Sequence, residues 1–470
     1  MKKKYTKKQR QIIKKYHNLG IILFAGVMLL GAFLGLLFFA RPKTSEKEKR
    51  SLAKYPSFTM KTFLNGEYFS DVSTWYSDTY PFRDALVSAD QKLKGLYGIE
   101  SKTMMVGEEK QADEIPDIND NTEAVTETTT AATTEAATED TEAGATTGAT
   151  TGATTEKVRE VDPPDSKGMD EEIQNQIQQN LYVKGDAAYS VYYFGKENCT
   201  NYVAALNNVA AELKGQTTVY NILVPNNSGV MLSEDELSKL AGSDQEQAID
   251  YYYSIESDDV KTVDTIKTLR EHNDEYLYFR TDHHWTQLAA YYVYQNFCKV
   301  KGIEAHDLSY YDKKEFKNFL GTFYSTLGNS NMEANPDTVD AYVPKGTNDM
   351  TFWDTDGKEW NWNVIYDVDS WASSSKYMTF IGGDRPMEVI ENPQIKDGSS
   401  CVVLKESYGN CFVPFLVDHY QTVYVLDYRY TTVNVLDFVK EKQADDLIII
   451  NNITIIGSTS VVDLISGLLK

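Results

Sequence analysis

The sequence predicts an α/β protein with an open, mostly parallel β-sheet that is covered by helices on both faces. Four continuous apolar runs of strand length support this prediction, because strands buried on both faces lack polar alternation. These runs are residues 219–225, 401–405, 422–427 and 447–451. The predicted helices lie between or beside them, at 201–214, 286–301 and 433–443.

Polar side chains follow the ends of the predicted strands. They are Asp282 and His284 after the β-like run 276–280, Ser407 after 401–405, and Asp427 and Arg429 at the end of 422–427. In open α/β sheets, ligands bind outside the carboxyl ends of the strands. The sequence therefore predicts the functional site at this edge of the sheet.

The N-terminal part of the chain predicts a membrane anchor. Residues 1–19 carry eight Lys and Arg side chains and no acidic side chain. Residues 20–40 form an uncharged apolar run of about 20 residues, which spans a bilayer as a helix. Positive charge stays on the cytoplasmic side, so we expect a cytoplasmic tail at 1–19 and residues 41–470 outside the cell. The alternative is a cleaved signal peptide, which also exports the chain but has a shorter apolar region.

Composition divides the exported part of the chain into three segments. Residues 45–107 have aromatic side chains at helical spacing and are predicted as a helical segment that packs on the catalytic domain. Residues 108–170 are rich in Thr, Ala, Glu and Gly, lack the apolar area needed for a core, and are predicted to be disordered. Residues 178–470 contain the α/β pattern and form the predicted catalytic domain.

Charge and cysteine content limit the function classes. The net charge of −23 argues against a nucleic-acid-binding protein, which would present a basic face. The four cysteines are dispersed, with no Cys-x-x-Cys pair, at Cys199, Cys298, Cys401 and Cys411. In an exported protein they form up to two disulfides, in three connectivities, or stay as buried thiols.

The segment Asp282-His283-His284-Trp285 and the strand-end Ser407 together predict a serine nucleophile with its base. A serine hydroxyl is a weak nucleophile and needs a base that is oriented by an acid. In an extended turn, Asp282 and His284 point the same way because alternate side chains share a face. We therefore assign Ser407 as nucleophile, His284 as general base and Asp282 as the group that orients it. Taken alone, a serine at a strand end is more often a helix cap.

A metal site is the competing interpretation of the same segment. Adjacent histidines point apart in an extended chain, so they rarely bind one ion, and the other histidines add no ligand pattern. We therefore predict no metal and no cofactor. His283 is interpreted as a structural or substrate-facing residue, and Trp285 as a core or wall residue.

The segment Thr281–Thr286 resembles the motif that names the DHHW protein family of Gram-positive bacteria. It is more distantly similar to the Asp-x-His-Trp motif of the alginate O-acetylation proteins J and X, whose catalytic domains are SGNH-hydrolase-like. Those families place a serine later, after an aspartate, where this chain has Glu406-Ser407-Tyr408. The other matching pieces are Pro81–Asp84, Gly321–Tyr324, Ile381–Gly383 and Asp427–Tyr430. The resemblance covers 45–105 and 178–470.

The resemblance implies O-acyl transfer, with acetyl as the expected group, onto an exported polysaccharide or cell-wall glycopolymer. It also implies a membrane-bound O-acyltransferase as the partner that supplies the acyl group. Gly383 and the Ser407 backbone N–H are candidate oxyanion donors, and Arg429, Tyr430, His283 and Trp285 are candidate substrate-binding residues. Two alternatives stay open: a carbohydrate acetylesterase with the same residues, and a non-catalytic glycan-binding or scaffold protein of a modification system.

Overall fold

The structure is a computed structural model, and it describes residues 180–470 without a gap. The other described residues are 26, 41, 44–45, 50–51, 54–64, 68–69, 72, 75–76, 79–81, 103–107, 110–118 and 177–178. The chain divides into two compact units, residues 1–100 and 101–470.

The first unit contains only short elements in its described residues. Two-residue strands at Thr44–Ser45 and Arg50–Ser51 pair antiparallel, and a short helix covers Met60–Leu64. The guanidinium of Arg41 lies 4.4 Å from the ring centroid of Trp75. The predicted cytoplasmic tail and, apart from Gly26, the predicted anchor at 20–40 lie outside the described residues. Among the helices that the structure describes, none has the length and apolarity needed to cross a membrane.

The predicted disordered insert and its flanks are described only in part. Residues 110–118 are described, and Asp113 is held there by two hydrogen bonds. Its N–H donates to the Phe194 carbonyl over 2.9 Å, and its carboxylate accepts the Lys196 N–H over 2.8 Å. The first strand of the second unit, β1 (Thr103–Val106), lies where the predicted helical segment was expected to end. The remainder of 108–170 lies outside the described residues, and the packing of 45–107 on the catalytic domain stays a prediction.

The second unit alternates strands and helices. Its further strands are β2 (Leu181–Lys184), β3 (Ala187–Ser190), β4 (Thr218–Val224), β5 (Val260–Thr262), β6 (Asp312–Phe319), β7 (Asp337–Val343), β8 (Asp349–Trp353), β9 (Glu359–Asn363), β10 (Met387–Glu391), β11 (Ser400–Lys405), β12 (Thr422–Asp427) and β13 (Asp446–Asn452). Its α-helices are α1 (Lys196–Leu213), α2 (Asn227–Met231), α3 (Glu234–Leu237), α4 (Gln245–Ser254), α5 (Ile266–Glu271), α6 (Gln287–Lys301), α7 (Thr322–Leu327), α8 (Ser330–Ala334), α9 (Val435–Lys442) and α10 (Thr459–Leu468).

The central sheet has eight strands in the order β9-β8-β10-β12-β11-β13-β4-β5. The strands from β12 to β5 run parallel, whereas β9, β8 and β10 form an antiparallel extension at one edge. The register places Lys405 opposite Asp427, so β11 and β12 end side by side. Smaller antiparallel sheets are formed by β1-β2-β3 and by β6-β7. The predicted α/β architecture with a large central sheet is confirmed and is consistent with an SGNH-like fold.

Alternate residues of the central strands enter two separate cores. Val402 and Leu404 of β11 pack with side chains of α1, α9 and α10, whereas Cys401 and Val403 pack with side chains of α6 on the other face. A strand whose neighbouring residues are all buried must be apolar throughout, which explains the continuous runs in the sequence. Helices therefore cover both faces, as predicted. The four cysteines are buried free thiols, so the structure contains no disulfide among its described residues.

Candidate active site

Two loops from distant parts of the chain meet at the carboxyl ends of β11 and β12. Ser407 lies two residues beyond Lys405, the last residue of β11, and begins the 3-10 helix Ser407–Cys411. The loop with Asp282 and His284 is closed by an antiparallel bridge between Tyr278 and Trp285. Helix α6 then starts at its capping residue Thr286, whose hydroxyl accepts the Ala289 N–H. The bridge and the cap fix both ends of the loop.

Asp282, His284 and Ser407, hereafter the triad, form one continuous chain of hydrogen bonds. The distance from His284 Nε2 to Ser407 Oγ is 2.8 Å, and that from His284 Nδ1 to Asp282 Oδ1 is 2.5 Å. A carboxylate can only accept, so Nδ1 carries the imidazole proton and Nε2 accepts the serine proton. This arrangement allows Ser407 to be deprotonated as it attacks a carbonyl carbon. The structure therefore brings together the three residues that were predicted to act as a unit.

The carboxylate of Asp282 is held from its other side by the start of α7. Its Oδ2 accepts the Thr322 N–H over 2.8 Å and the Thr322 hydroxyl over 3.1 Å. A side chain at Gly321 would place its Cβ 2.1 Å from Oδ2, so only glycine fits there. Burial alone would raise the pKa of Asp282, but the imidazoles of His284 and His283 and these hydrogen bonds leave it well below its usual value. Asp282 therefore stays ionised.

Glu406 anchors the turn that carries Ser407. Its Oε2 accepts the Tyr408 N–H over 3.0 Å and lies 3.1 Å from Ser407 Oγ, and its Oε1 accepts the Asn452 N–H over 2.9 Å. The turn is thereby tied to the end of β13. Burial raises the pKa of this carboxyl group, against the opposing effects of Arg429 and the two backbone N–H groups. The serine hydroxyl has one proton, so it donates either to His284 or to Glu406.

Aromatic side chains enclose the base. The ring of Tyr377 stacks on His284 with centroids 3.9 Å apart, and its hydroxyl donates to the Ser407 carbonyl over 2.9 Å. Trp285 is fully buried and donates from Nε1 to the Tyr408 carbonyl. Trp285 thus supports the nucleophile turn from within the core. None of its surface is exposed, which fits the interpretation as a core residue, and a contact between Trp285 and substrate stays an untested prediction.

His283 lies beside His284 and shares its carboxylate partner. Its Nδ1 is 2.7 Å from the Thr322 hydroxyl, and its ring centroid is 3.8 Å from that of His284. Burial and the neighbouring imidazole lower the pKa of His283 to about 3. The ring is therefore neutral in the physiological pH range.

A second group of charged side chains lies next to the triad at the ends of β10, β11 and β12. This ionic cluster consists of Asp384, Glu388, Lys405, Asp427 and Arg429. The Lys405 ammonium is fully buried, 3.0 Å from Asp427 and 3.4 Å from Asp384, and the Arg429 guanidinium donates to both acids. Burial raises the pKa of Glu388 well above its usual value, and neither of its oxygens has a hydrogen-bond partner among the described residues. Burial therefore favours the neutral form of Glu388, and the other two acids pair with the two cations.

The remaining predicted residues do not all fit their roles. The N–H of Gly383 already donates to the Phe380 carbonyl over 3.0 Å, so it is not available as an oxyanion donor. The Ser407 N–H donates to no described residue and stays available. Arg429 is nearly buried and is bound to acids of the ionic cluster, with its guanidinium 5.3 Å from the ring centroid of half-buried Tyr430.

Sequence reasoning missed three residues that shape the site, namely Tyr377, Thr322 and Asp384. Thr322 belongs to the quoted segment Gly321–Tyr324, but nothing in the sequence links it to Asp282. Tyr377 and Asp384 carry no local signal. A lysine at the end of the apolar strand β11 was the available hint of a buried counter-charge, since buried cations need a partner.

Apart from His283 Nε2, the atoms that could bind a metal are already engaged in hydrogen bonds. Asp282, His283 and His284 present ligand-type atoms within 4.8 Å of one another. Both oxygens of Asp282 accept hydrogen bonds, both Nδ1 atoms donate, and His284 Nε2 faces Ser407. Binding an ion there would require breaking the triad, so these residues fit proton transfer better than metal ligation.

Comparison with known proteins gives a family and a fold. A DHHW family protein from Eubacterium siraeum is 28% identical, covers 62% of this chain and 95% of its own, and superposes with a TM-score of 0.55. PatB1 from Bacillus cereus is 21% identical, covers 58% of this chain and 95% of its own, and has a TM-score of 0.51. The O-acetyltransferase domain of AlgJ from Pseudomonas putida is 12% identical over 57% of this chain and 89% of its own, at a TM-score of only 0.33.

No curated protein sequence matches this chain significantly. The model of the DHHW protein family, in contrast, matches residues 48–426, which is most of the chain and includes both loops of the site. The protein therefore belongs to the DHHW family.

Proposed function

We propose that this protein is an extracellular, membrane-tethered O-acyltransferase, with acetyl as the expected group. Ser407 is the nucleophile, His284 the general base and Asp282 the group that orients it. The observation that carries the proposal is the unbroken chain from Asp282 Oδ1 through both nitrogens of His284 to Ser407 Oγ. Membership in the DHHW family supports it further, because the resemblance implies this chemistry.

The proposed reaction has two halves. Ser407 Oγ attacks the carbonyl carbon of the acyl donor, and its proton moves to His284 Nε2. The developing imidazolium is stabilised by Asp282, and the oxyanion is within reach of the Ser407 N–H. After the leaving group takes the proton, an acceptor hydroxyl attacks the acyl-enzyme and regenerates the serine.

The proposed acceptor is an exported polysaccharide or cell-wall glycopolymer. The proposed acyl supplier is a membrane-bound O-acyltransferase, because an exported domain has no cytosolic acyl donor within reach. A membrane tether at residues 20–40 would raise the effective concentration of two membrane-held partners, so weak contacts between them would suffice.

Protease shaving of intact cells tests the location: loss of residues 41–470 is expected, and their protection would contradict it.

Covalent labelling tests the chemistry. We expect a sulfonyl fluoride to modify Ser407 in the full-length protein, with the adduct located by peptide mass spectrometry. His284→Ala should abolish the labelling, because the nucleophile then lacks its base. Labelling at another serine, or labelling that is unaffected by His284→Ala, would contradict the proposal. An esterase has the same labelling but acylates no hydroxyl acceptor, so product analysis with a nitrophenyl ester as donor separates these two functions.

A further inference from the structure

His283 has a fixed tautomer that leaves one ring nitrogen free to accept. The Thr322 hydroxyl has a single proton and donates it to Asp282 Oδ2, so it must accept from His283 Nδ1. Nδ1 therefore carries the proton of this neutral ring, and Nε2 has an open lone pair. Within the part of the chain that the structure describes, His283 Nε2 has no hydrogen-bond partner, although the side chain is only 4% exposed.

The direction of this lone pair follows from the packing of the two rings. The His283 and His284 rings pack face against face at a tilt of 37°, and both Nδ1 atoms lie on the side of Asp282 Oδ1, at 3.8 and 2.5 Å. Their Nε2 atoms therefore both point away from Asp282. Since His284 Nε2 meets Ser407 Oγ, His283 Nε2 points to the same side of the site, where the nucleophile and the acyl group lie.

We infer that His283 Nε2 accepts a hydrogen bond from a second hydroxyl of the acceptor, adjacent to the hydroxyl that attacks. The matching acceptor is a polyol with neighbouring hydroxyl groups, such as a sugar ring with a free vicinal diol. This inference rests on the proposed function, which supplies the acyl-enzyme. It assigns a specificity-determining role to the histidine that the triad does not use.

In the transfer step, one proton passes through His284 and the bond between the acyl group and Ser407 breaks. The first hydroxyl attacks the carbonyl carbon of the Ser407 ester and gives its proton to His284 Nε2. The tetrahedral intermediate collapses, the bond from carbon to Ser407 Oγ breaks, and His284 returns the proton to Oγ. The neighbouring hydroxyl keeps its own proton throughout and donates it only as a hydrogen bond to His283.

One water molecule cannot make both contacts. A water that attacks through His284 has no second hydroxyl at the spacing of a vicinal diol, so a separate water must be ordered at His283 Nε2. A diol supplies both hydroxyls in one molecule and avoids the entropy cost of ordering that second water. Acceptors with a vicinal diol should therefore compete with water better than simple alcohols, which favours transfer over hydrolysis.

Two substitutions distinguish the role of Nδ1 from that of Nε2 in His283. In His283→Asn the amide nitrogen takes the place of Nδ1 and keeps a donor for Thr322, but no acceptor remains at the position of Nε2. In His283→Gln the amide oxygen reaches the position of Nε2 and restores the acceptor there. His272→Asn changes a half-exposed histidine outside the site and is the matched control.

The measurement is the ratio of transfer to hydrolysis with full-length protein, 4-nitrophenyl acetate as donor, and either cis-1,2-cyclohexanediol or cyclohexanol as acceptor. Each ratio is taken within one variant, so a change in total turnover cancels. We expect the wild type and His272→Asn to prefer the diol. His283→Asn should lower the diol ratio about three- to tenfold, the range expected for one hydrogen bond, and leave the cyclohexanol ratio unchanged. His283→Gln should recover most of the preference.

An unchanged diol preference in His283→Asn, or an equal fall with both acceptors, would overturn the inference. If His283→Asn does not fold, as judged by circular dichroism, His283→Gln carries the test, and loss of the diol preference in that variant overturns the inference. Wild-type protein that labels at Ser407 and acylates both acceptors alike contradicts this inference alone. Wild-type protein that neither labels nor acylates any acceptor contradicts the proposed function instead.

Discussion

The triad and the ionic cluster lie at neighbouring strand ends of one sheet, but only the triad can transfer a proton, whereas the ionic cluster contains fixed ion pairs. The triad has a single ionised acid, and its neutral imidazole can take the Ser407 proton at Nε2 and return it. In the ionic cluster, Lys405 and Arg429 are permanent cations that are matched by Asp384 and Asp427, while burial favours the neutral form of Glu388. The first arrangement allows proton transfer, and the second fixes the ends of the strands. Substitutions in the triad should therefore lower the activity of the protein, and substitutions in the ionic cluster should lower its stability.

The largest expected effect is on the triad. Ser407→Ala, His284→Ala and Asp282→Ala should each lower acyl-ester turnover by roughly 10³-fold or more, because triad residues act as a unit. Thermal unfolding followed by circular dichroism should stay close to that of the wild type. Turnover of Ser407→Ala within about tenfold of wild type would be incompatible with the mechanism.

Breaking the ionic cluster should reduce stability strongly. Lys405→Met removes a fully buried cation and leaves the buried Asp427 and the partly exposed Asp384 with only Arg429 as their counter-charge, which should lower the free energy of unfolding by ~3–5 kcal/mol. Denaturant titration of the variant and the wild type measures this difference in the free energy of unfolding. Lys313→Met is the control, since that lysine pairs with Asp340 on the surface and should change stability by at most about 1 kcal/mol. Equal effects of the two substitutions would show that the cluster contributes no more than a surface pair.

Gly321→Ala should change activity without touching any reacting atom. The new Cβ would lie 2.1 Å from Asp282 Oδ2, so the carboxylate must move and the triad loses its alignment. We expect turnover to fall about 10²-fold, the scale of a displacement of roughly 1 Å at a catalytic group. Gly467→Ala is the matched control, because nothing lies near its Cβ position in α10. Wild-type turnover in Gly321→Ala would show that the position of Asp282 tolerates movement.

The smallest expected effect concerns Glu388 and depends on pH. Burial raises the pKa of Glu388 in the folded state, so the wild type loses stability as pH rises above the ordinary value of a glutamate towards the folded-state pKa. Glu388→Gln cannot ionise and should avoid this loss. Its stability relative to the wild type should therefore increase between pH 4 and pH 8, by about 1.4 kcal/mol for each pH unit over which Glu388 is protonated in the folded state and ionised in the unfolded state. A difference that does not vary with pH would mean that Glu388 is not held neutral.

The same contrast explains how much of the molecule could be predicted from sequence. The parallel strands were predictable because each is buried on both faces. The triad was predictable because Ser407 follows a strand end and Asp282 and His284 have the Asp-x-His spacing, although the predicted β-like run 276–280 forms only a single bridge at Tyr278. The roles of Thr322, Tyr377 and Asp384 were not, because each acts through a contact that only the folded chain creates. Gly383 was assigned an open N–H that is in fact bound to Phe380, since local sequence does not show where a backbone donor is directed.

The wide sequence separation within the site has a consequence for folding. Ser407 meets a base that lies 123 residues earlier, and Glu406 is fixed by Asn452 on the last strand of the sheet, β13. Contacts between distant segments form late, because loop closure costs entropy before the contacts stabilise the chain. Nucleophilicity at Ser407 should therefore arise only when the C-terminal strand has docked. The rate at which Ser407 becomes reactive towards an acylating reagent then reports the last step of folding. A chain truncated before β13 should not react at Ser407.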